Sequence, residues 1–323
     1  MMISRVKSRV TGAPTPMAGL ALGIASLGWC WESFIDLRGY GQWSGAVVAA
    51  VLLIVLASKF LLHRHLLRED LAHPVVGSVV PTFAMGVMVV SNSLGQFYPL
   101  AGDALWLMAL SLHIVFLSRF VYHRSQEFRL HHMVPSWFVP PVGIIVADVS
   151  FSGNPMLIPI ANSVLMFGML AYAFMLPIML YRFMFTHEIS DAAKPTIAIM
   201  AAPASLSLAG YLTVQSSPSP VVIGVLFGIS ILMTLLIYVA FFKLLRLPFS
   251  SGYAAFTFPT VISATALFKL ASWMSHTGIE AKYVSQVHFL ARFELIIATL
   301  VVGYVAARYL HFYQPHKGIM SNR

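Results

Sequence analysis

Residues 220–243 read PVVIGVLFGISILMTLLIYVAFFK, and no charged side chain interrupts them before Lys243. As an α-helix the run is about 35 Å long, enough to cross a hydrocarbon core about 30 Å thick. It is apolar on every face, so it has no side that water would solvate. The rest of the chain has the same character. Its 323 residues are 59% hydrophobic and 10% charged, with a mean hydropathy of +0.81. A soluble domain carries about 25% charged residues, so this chain reads as an integral membrane protein.

Working outward from that run, nine more segments of the required length and apolarity follow one another. The spans are 16–33, 43–62, 75–91, 104–121, 135–150, 156–182, 195–214, 220–243, 251–274 and 288–310. Basic residues set the orientation. Sixteen of the 20 lysines and arginines fall on one side of this pattern. They are Arg5, Lys7 and Arg9, then Lys59, Arg64 and Arg68, then Arg119, Arg124 and Arg129. Arg182, Lys194, Lys243, Arg246, Arg308, Lys317 and Arg323 follow. Both termini are therefore expected in the cytoplasm, with the chain in the cytoplasmic (inner) membrane. The basic start followed by an apolar run resembles a secretion signal. Pro14, Pro16, Trp29 and Trp31 do not fit a cleavage site, and the segment reads as an uncleaved first helix.

The net charge of +9 would suit a nucleic-acid binder, but the basic residues sit in short gaps between apolar runs, so no nucleic-acid partner is expected. The bilayer is the expected surrounding. Cys30 is the single cysteine and makes no intrachain disulfide. His63 with His65, and His131 with His132, lack the i, i+4 spacing of helical metal ligands, so no metal is expected. No HExxH pair, GxSxG elbow or phosphate loop is present, and no catalytic residue or cofactor is proposed.

The odd-numbered spans share a feature. Pro16, Pro81, Pro140 (with Pro141), Pro203 and Pro259 recur at steps of 65, 59, 63 and 56 residues, about one helical hairpin each. Proline in a membrane helix frees carbonyls that must be satisfied by protein or by a water-filled lumen. Proline-bearing, small-residue helices therefore belong inside a bundle, and uniformly apolar ones belong at the lipid. The expected fold is all-α, with residues 1–323 as a single transmembrane domain. Ten transmembrane helices form five hairpins around a central pore, odd helices inner and even helices outer. Pro16, Pro81, Pro140, Pro203, Pro259 and Phe258 are its expected pore-lining or kink residues.

Four segments carry a family resemblance. They are PSWFVPPVG (135–143), AAPASL (201–206), AFTFP (255–259) and His73-Pro74. With these the chain resembles the tellurite-resistance/dicarboxylate transporter family of the voltage-dependent anion channel superfamily. That group holds bacterial tellurite-resistance proteins, plant guard-cell slow anion channels and fungal malate and sulphite permeases. The resemblance implies a pore within each subunit, a homotrimer of independent pores, and a mid-membrane phenylalanine gate on the ninth helix. By its place in AFTFP that gate is Phe256. The family pattern has an aromatic two residues ahead of the gate, where this chain has Ala254. Phe256 and Phe258 stand two apart on a helix, so one can face the lumen while the other packs against a neighbour.

The lumen reads as nearly uncharged, which favours low-affinity passage of anions helped by backbone dipoles and a basic rim. Of the ionisable residues within spans, Lys269 and Glu294 are expected to form an interfacial ion pair. Asp148 and Glu294 are the carboxylates available for proton coupling. The expected function is a gated anion channel or uniporter, not an enzyme. The alternative is a proton-coupled transporter or exporter of C4-dicarboxylate (malate), sulphite or tellurite-type anions.

Overall fold

The computed structural model describes residues 10–186 and 188–313. Arg5, Lys7, Arg9, Lys317 and Arg323, counted above for orientation, lie outside the described residues. Every regular element among the described residues is helical. In chain order the principal helices are α1 Met17–Phe34 and α2 Tyr40–Leu62, then α3 Val76–Gly95, α4 Pro99–Gln126, α5 Pro135–Val149 and α6 Pro155–Phe185. α7 Lys194–Val214, α8 Pro220–Leu244, α9 Ser251–His276 and α10 Ala281–Phe312 complete the series. A short helix, Arg64–Ala72, links α2 to α3. Eight of these helices are long and apolar enough to cross a bilayer; α1, which closes on Trp31 and Glu32, and the 15-residue α5 are not among them.

Local sequence explains the boundaries. α4 and α8 begin at Pro99 and Pro220, where a missing backbone N–H goes unnoticed. Between α1 and α2 the chain turns through Arg38 and Gly39, both with positive φ (55° and 84°). The Glu32 carboxylate accepts hydrogen bonds there from the backbone N–H groups of Gly39 (3.2 Å) and Gly41 (2.7 Å), which satisfies donors at the start of α2. A Cβ on Gly28 would collide with the Gly41 carbonyl oxygen, and one on Gly45 would lie 2.8 Å from the Ile24 carbonyl oxygen. Small residues thus let α1 and α2 pack backbone to backbone, as membrane helices do.

Burial alternates along the chain. Of the apolar stretch in α3, α7 and α9, 67%, 72% and 83% is buried, against 28–39% in α2, α4, α6, α8 and α10. In α5 every residue except Pro141 is buried. The outward faces of the exposed helices carry Val51 and Ile54, Met108 and Val115, Met166 and Phe174, Leu232 and Leu236, or Ile296 and Leu300. Faces of that composition require hydrocarbon around them. The chain is a multi-pass, all-helical membrane protein.

The buried helices are not uniform α-helix. α5 alternates short 3₁₀ and α stretches (Pro135–Phe138, Val139–Val142, Gly143–Ile145, Val146–Val149). The steeper rise of 3₁₀ turns extends it to about 26 Å, longer than 15 α-helical residues would reach. α7 and α9 open as 3₁₀ turns over Lys194–Ala201 and Ser251–Phe256 before becoming α-helix. The prolines sit at these transitions. Pro81 separates the α-helical stretches Val76–Val79 and Thr82–Gly95 of α3, Pro203 lies in the first turn of Ala202–Val214, and Pro259 is third in Thr257–His276. They mark the starts of α-helical segments rather than mid-helix kinks, because a first-turn N–H has no intrahelical partner to lose.

Candidate functional site

The N-terminal halves of the five buried helices enclose a cavity of about 320 Å³. Gly19 of α1, Met85 of α3, Phe138 of α5, Pro203 of α7 and Phe258 of α9 all face it, and its lining contains no residue of α2, α4, α6, α8 or α10. A second, narrower cavity of about 60 Å³ lies between the C-terminal halves of α1, α3, α5 and α9. On α1, α3 and α5 residues lining the first cavity precede those lining the second, and on α9 the two sets meet at Phe258 and Pro259. Along α1 the order is Pro16, Gly19 and Leu22, then Ser26, Cys30 and Ser33. The two chambers therefore stack end to end, and Phe258 is the one residue shared by both linings.

Helical geometry separates the two phenylalanines of AFTFP. Two residues apart means a rotation of about 200°, so they project to opposite sides of α9. Phe256 is 0% exposed, and its ring lies 4.7 Å from that of Tyr253 and 5.3 Å from that of Phe241 on α8. It lines neither chamber. Phe258 is 8% exposed, and its ring has no aromatic partner among the described residues. It begins a stripe with Ile262, Thr265 and Lys269, at i+4, i+7 and i+11, all facing the second chamber.

The backbone just before Phe258 is held firmly. The Thr257 hydroxyl donates to the carbonyls of Gly19 (3.0 Å) and Ala254 (2.7 Å). A Cβ on Gly23 would lie 2.5 Å from that hydroxyl oxygen and 3.2 Å from the Phe258 nitrogen. Only a residue without a side chain allows α1 this close to α9.

The expected pore residues divide. Pro16, Pro203, Pro259 and Phe258 line the first chamber, whereas Pro81 and Pro140 do not. Pro140 acts through its carbonyl, which accepts a 2.8 Å hydrogen bond from Nε2 of His113 on α4. Trp106 of α4 likewise donates to the Ala147 carbonyl (2.9 Å). An outer helix thus satisfies carbonyls that the irregular α5 leaves free. Sequence reading overlooked His113; a lone histidine in the middle of an apolar span was the available signal.

Charge is sparse and unevenly placed. The first lining holds no charged residue, and the second holds one, Lys269. The expected Lys269–Glu294 ion pair is absent: among the described residues the ion pairs are Lys59–Asp70, Glu127–Arg129 and Asp191–Lys194. Glu294 is 3% exposed and sits beside Ser263. Lys269 is instead half-buried, on the stripe that continues Phe258. The second chamber is thus not without a cation. Asp148 is 0% exposed, neither of its carboxylate oxygens has a hydrogen-bond partner, and its Cβ faces Gly210 of α7. Neither carboxylate lines a chamber.

Comparison with known proteins adds an independent line. The profile of a family described as "Voltage-dependent anion channel" matches residues 15–310. Two uncharacterized transporters of Methanocaldococcus jannaschii are similar. One is 26% identical over 245 residues, covering 62% of this chain and 66% of the relative. The other is 27% identical over 230 residues, covering 59% and 63%. The chain thus spans just under two thirds of the length of the curated relatives it matches.

Proposed function

The chain belongs to the voltage-dependent anion channel family, and on that premise we propose that it passes small anions through the two stacked chambers, with Phe258 as the barrier between them. All ten helices cross the membrane in this reading. α1, α3, α5, α7 and α9 form the inner wall of the path and the remaining five face lipid. The observation that carries it is the sharing of Phe258 by both linings. An apolar ring between two chambers excludes ions by size and by dewetting. A cavity on either side leaves its ring room to change rotamer, whereas Phe256 is held between Tyr253 and Phe241. Phe258 therefore replaces Phe256 as the proposed gate. The basic-residue pattern supports cytoplasmic termini in a cytoplasmic membrane, with the larger chamber towards the cytoplasm. A homotrimer of such subunits is the arrangement the family resemblance supports.

The test is anion current in planar bilayers from wild type, Phe258→Ala and Phe256→Ala. Phe258→Ala is expected to raise the current by about tenfold or more, since removing the ring takes away a dewetted barrier. A folded Phe258→Ala protein as silent as wild type would sink the proposal.

One observation favours a second reading. Asp148 is buried without a partner for either oxygen, and such a carboxyl in a membrane bundle is the kind of group that proton-coupled transport uses. In that reading the same scaffold moves a C4-dicarboxylate, sulphite or tellurite-type anion together with a proton. An imposed pH gradient separates the two: anion uptake that follows the proton gradient and is lost in Asp148→Asn favours coupling.

A further inference from the structure

We propose that Lys269 is the anion-binding and charge-selecting residue of the second chamber. The inference rests on the pore reading above. It starts from a physical asymmetry. The inner helices run parallel along the path, with residues of the first chamber towards their N-termini and those of the second towards their C-termini, the two sets meeting at Phe258 on α9. A helix carries partial positive charge at its N-terminus and partial negative charge at its C-terminus. The first chamber therefore sits among the positive ends and favours an anion without any formal charge, and its lining has none. The second chamber lies among the C-terminal halves of α1, α3, α5 and α9, where the same dipoles oppose an anion. A fixed cation is needed there.

Lys269 meets that need. It is the one charged residue in that lining, and no carboxylate accompanies it. It has no ion-pair partner among the described residues. An ammonium at this depth is costly unless something neutralises it. A mobile anion in the chamber does so, with the hydroxyls of Ser26 and Ser33 in the same lining as donors. Side chains on a helix lean towards its N-terminus, so the ammonium is carried from its Cα, roughly 16 Å beyond that of Phe258 along α9, back towards the gate. The site is a staging point for one small anion on the far side of the barrier. The ligand class is a small inorganic or carboxylate anion, since a chamber of about 60 Å³ admits little more.

The experiment uses the full chain with the barrier removed. Reversal potentials are measured in a salt gradient for Phe258→Ala, Phe258→Ala/Lys269→Gln and Phe258→Ala/Lys269→Arg. Loss of the only lining charge should lower the anion-to-cation permeability ratio by about fivefold or more. Saturation of current at low chloride should also be lost, and Lys269→Arg should retain both properties. Lys269→Met, uncharged and of similar length, takes the place of Gln if that variant fails to assemble. If the neutral double variants conduct with the selectivity and saturation of Phe258→Ala, Lys269 is not the selecting residue and the pore reading stands. If folded Phe258→Ala carries no current, the pore reading falls and takes this inference with it.

Discussion

Phe256 and Phe258 differ by two positions and by everything that surrounds them. The ring of Phe256 is fully buried against Tyr253 and Phe241, so Phe256→Ala leaves a void in packed protein. It should lower stability by about 3 kcal/mol, read as a drop in melting temperature, without the rise in current expected of Phe258→Ala. Current through Phe256→Ala matching that of Phe258→Ala would return the gate to Phe256. His113 makes a second residue-scale prediction. Its Nε2–H donates to the Pro140 carbonyl inside the bundle, and His113→Leu strands that acceptor. The expected loss is about 1–3 kcal/mol, and His113→Gln, which keeps a donor, should recover part of it. The choice between the two phenylalanines was legible in part. Phe258, Ile262, Thr265 and Lys269 share one helical face by spacing alone, and Phe256 lies off it. What spacing could not say is which face of α9 looks inward, because apolar residues occupy both.

At the scale of elements, the bundle depends on how closely its helices approach. Gly23 sets the contact between α1 and the segment of α9 that carries Phe258. In Gly23→Val the new side chain overlaps Thr257, so α9 must shift just ahead of Phe258. We expect a destabilisation of about 1–3 kcal/mol, together with a changed open probability in the Phe258→Ala background. A Gly23→Val protein with unchanged melting temperature and unchanged current would show that this contact is dispensable. The regular recurrence of proline was readable in the sequence, but its structural meaning was not. In α7 and α9, Pro203 and Pro259 lie in the first turn of an α-helical segment that follows a 3₁₀ stretch. Whether the backbone ahead of a proline is α or 3₁₀ depends on which neighbours can accept or donate. For α5 those neighbours are His113 and Trp106 on another helix.

For the whole molecule, the stacked chambers make a prediction about sidedness. Cys30 is the only cysteine and lines the second chamber, so any thiol labelling reports on that chamber alone. A membrane-impermeant anionic thiol reagent should reach Cys30 from the outer side of sealed vesicles, slowly because the thiol is buried. From the cytoplasmic side it should do so only in Phe258→Ala. Labelling of wild type from the cytoplasmic side would reverse the orientation or open the barrier. The sequence alone determined that this chain is a helical membrane protein of the anion-channel family. Apolar runs long enough to cross hydrocarbon, and motifs spread over most of the chain, are local properties that survive without knowing any contact. Only the tertiary structure decided that Phe258 rather than Phe256 borders both chambers, that Pro81 and Pro140 stand behind the lining, and that Lys269 rather than Glu294 lines the second chamber. Those outcomes depend on how each helix is rotated about its own axis. Rotation is fixed by glycine-sized gaps and hydrogen bonds between helices far apart in the chain, which an uninterrupted apolar pattern does not encode.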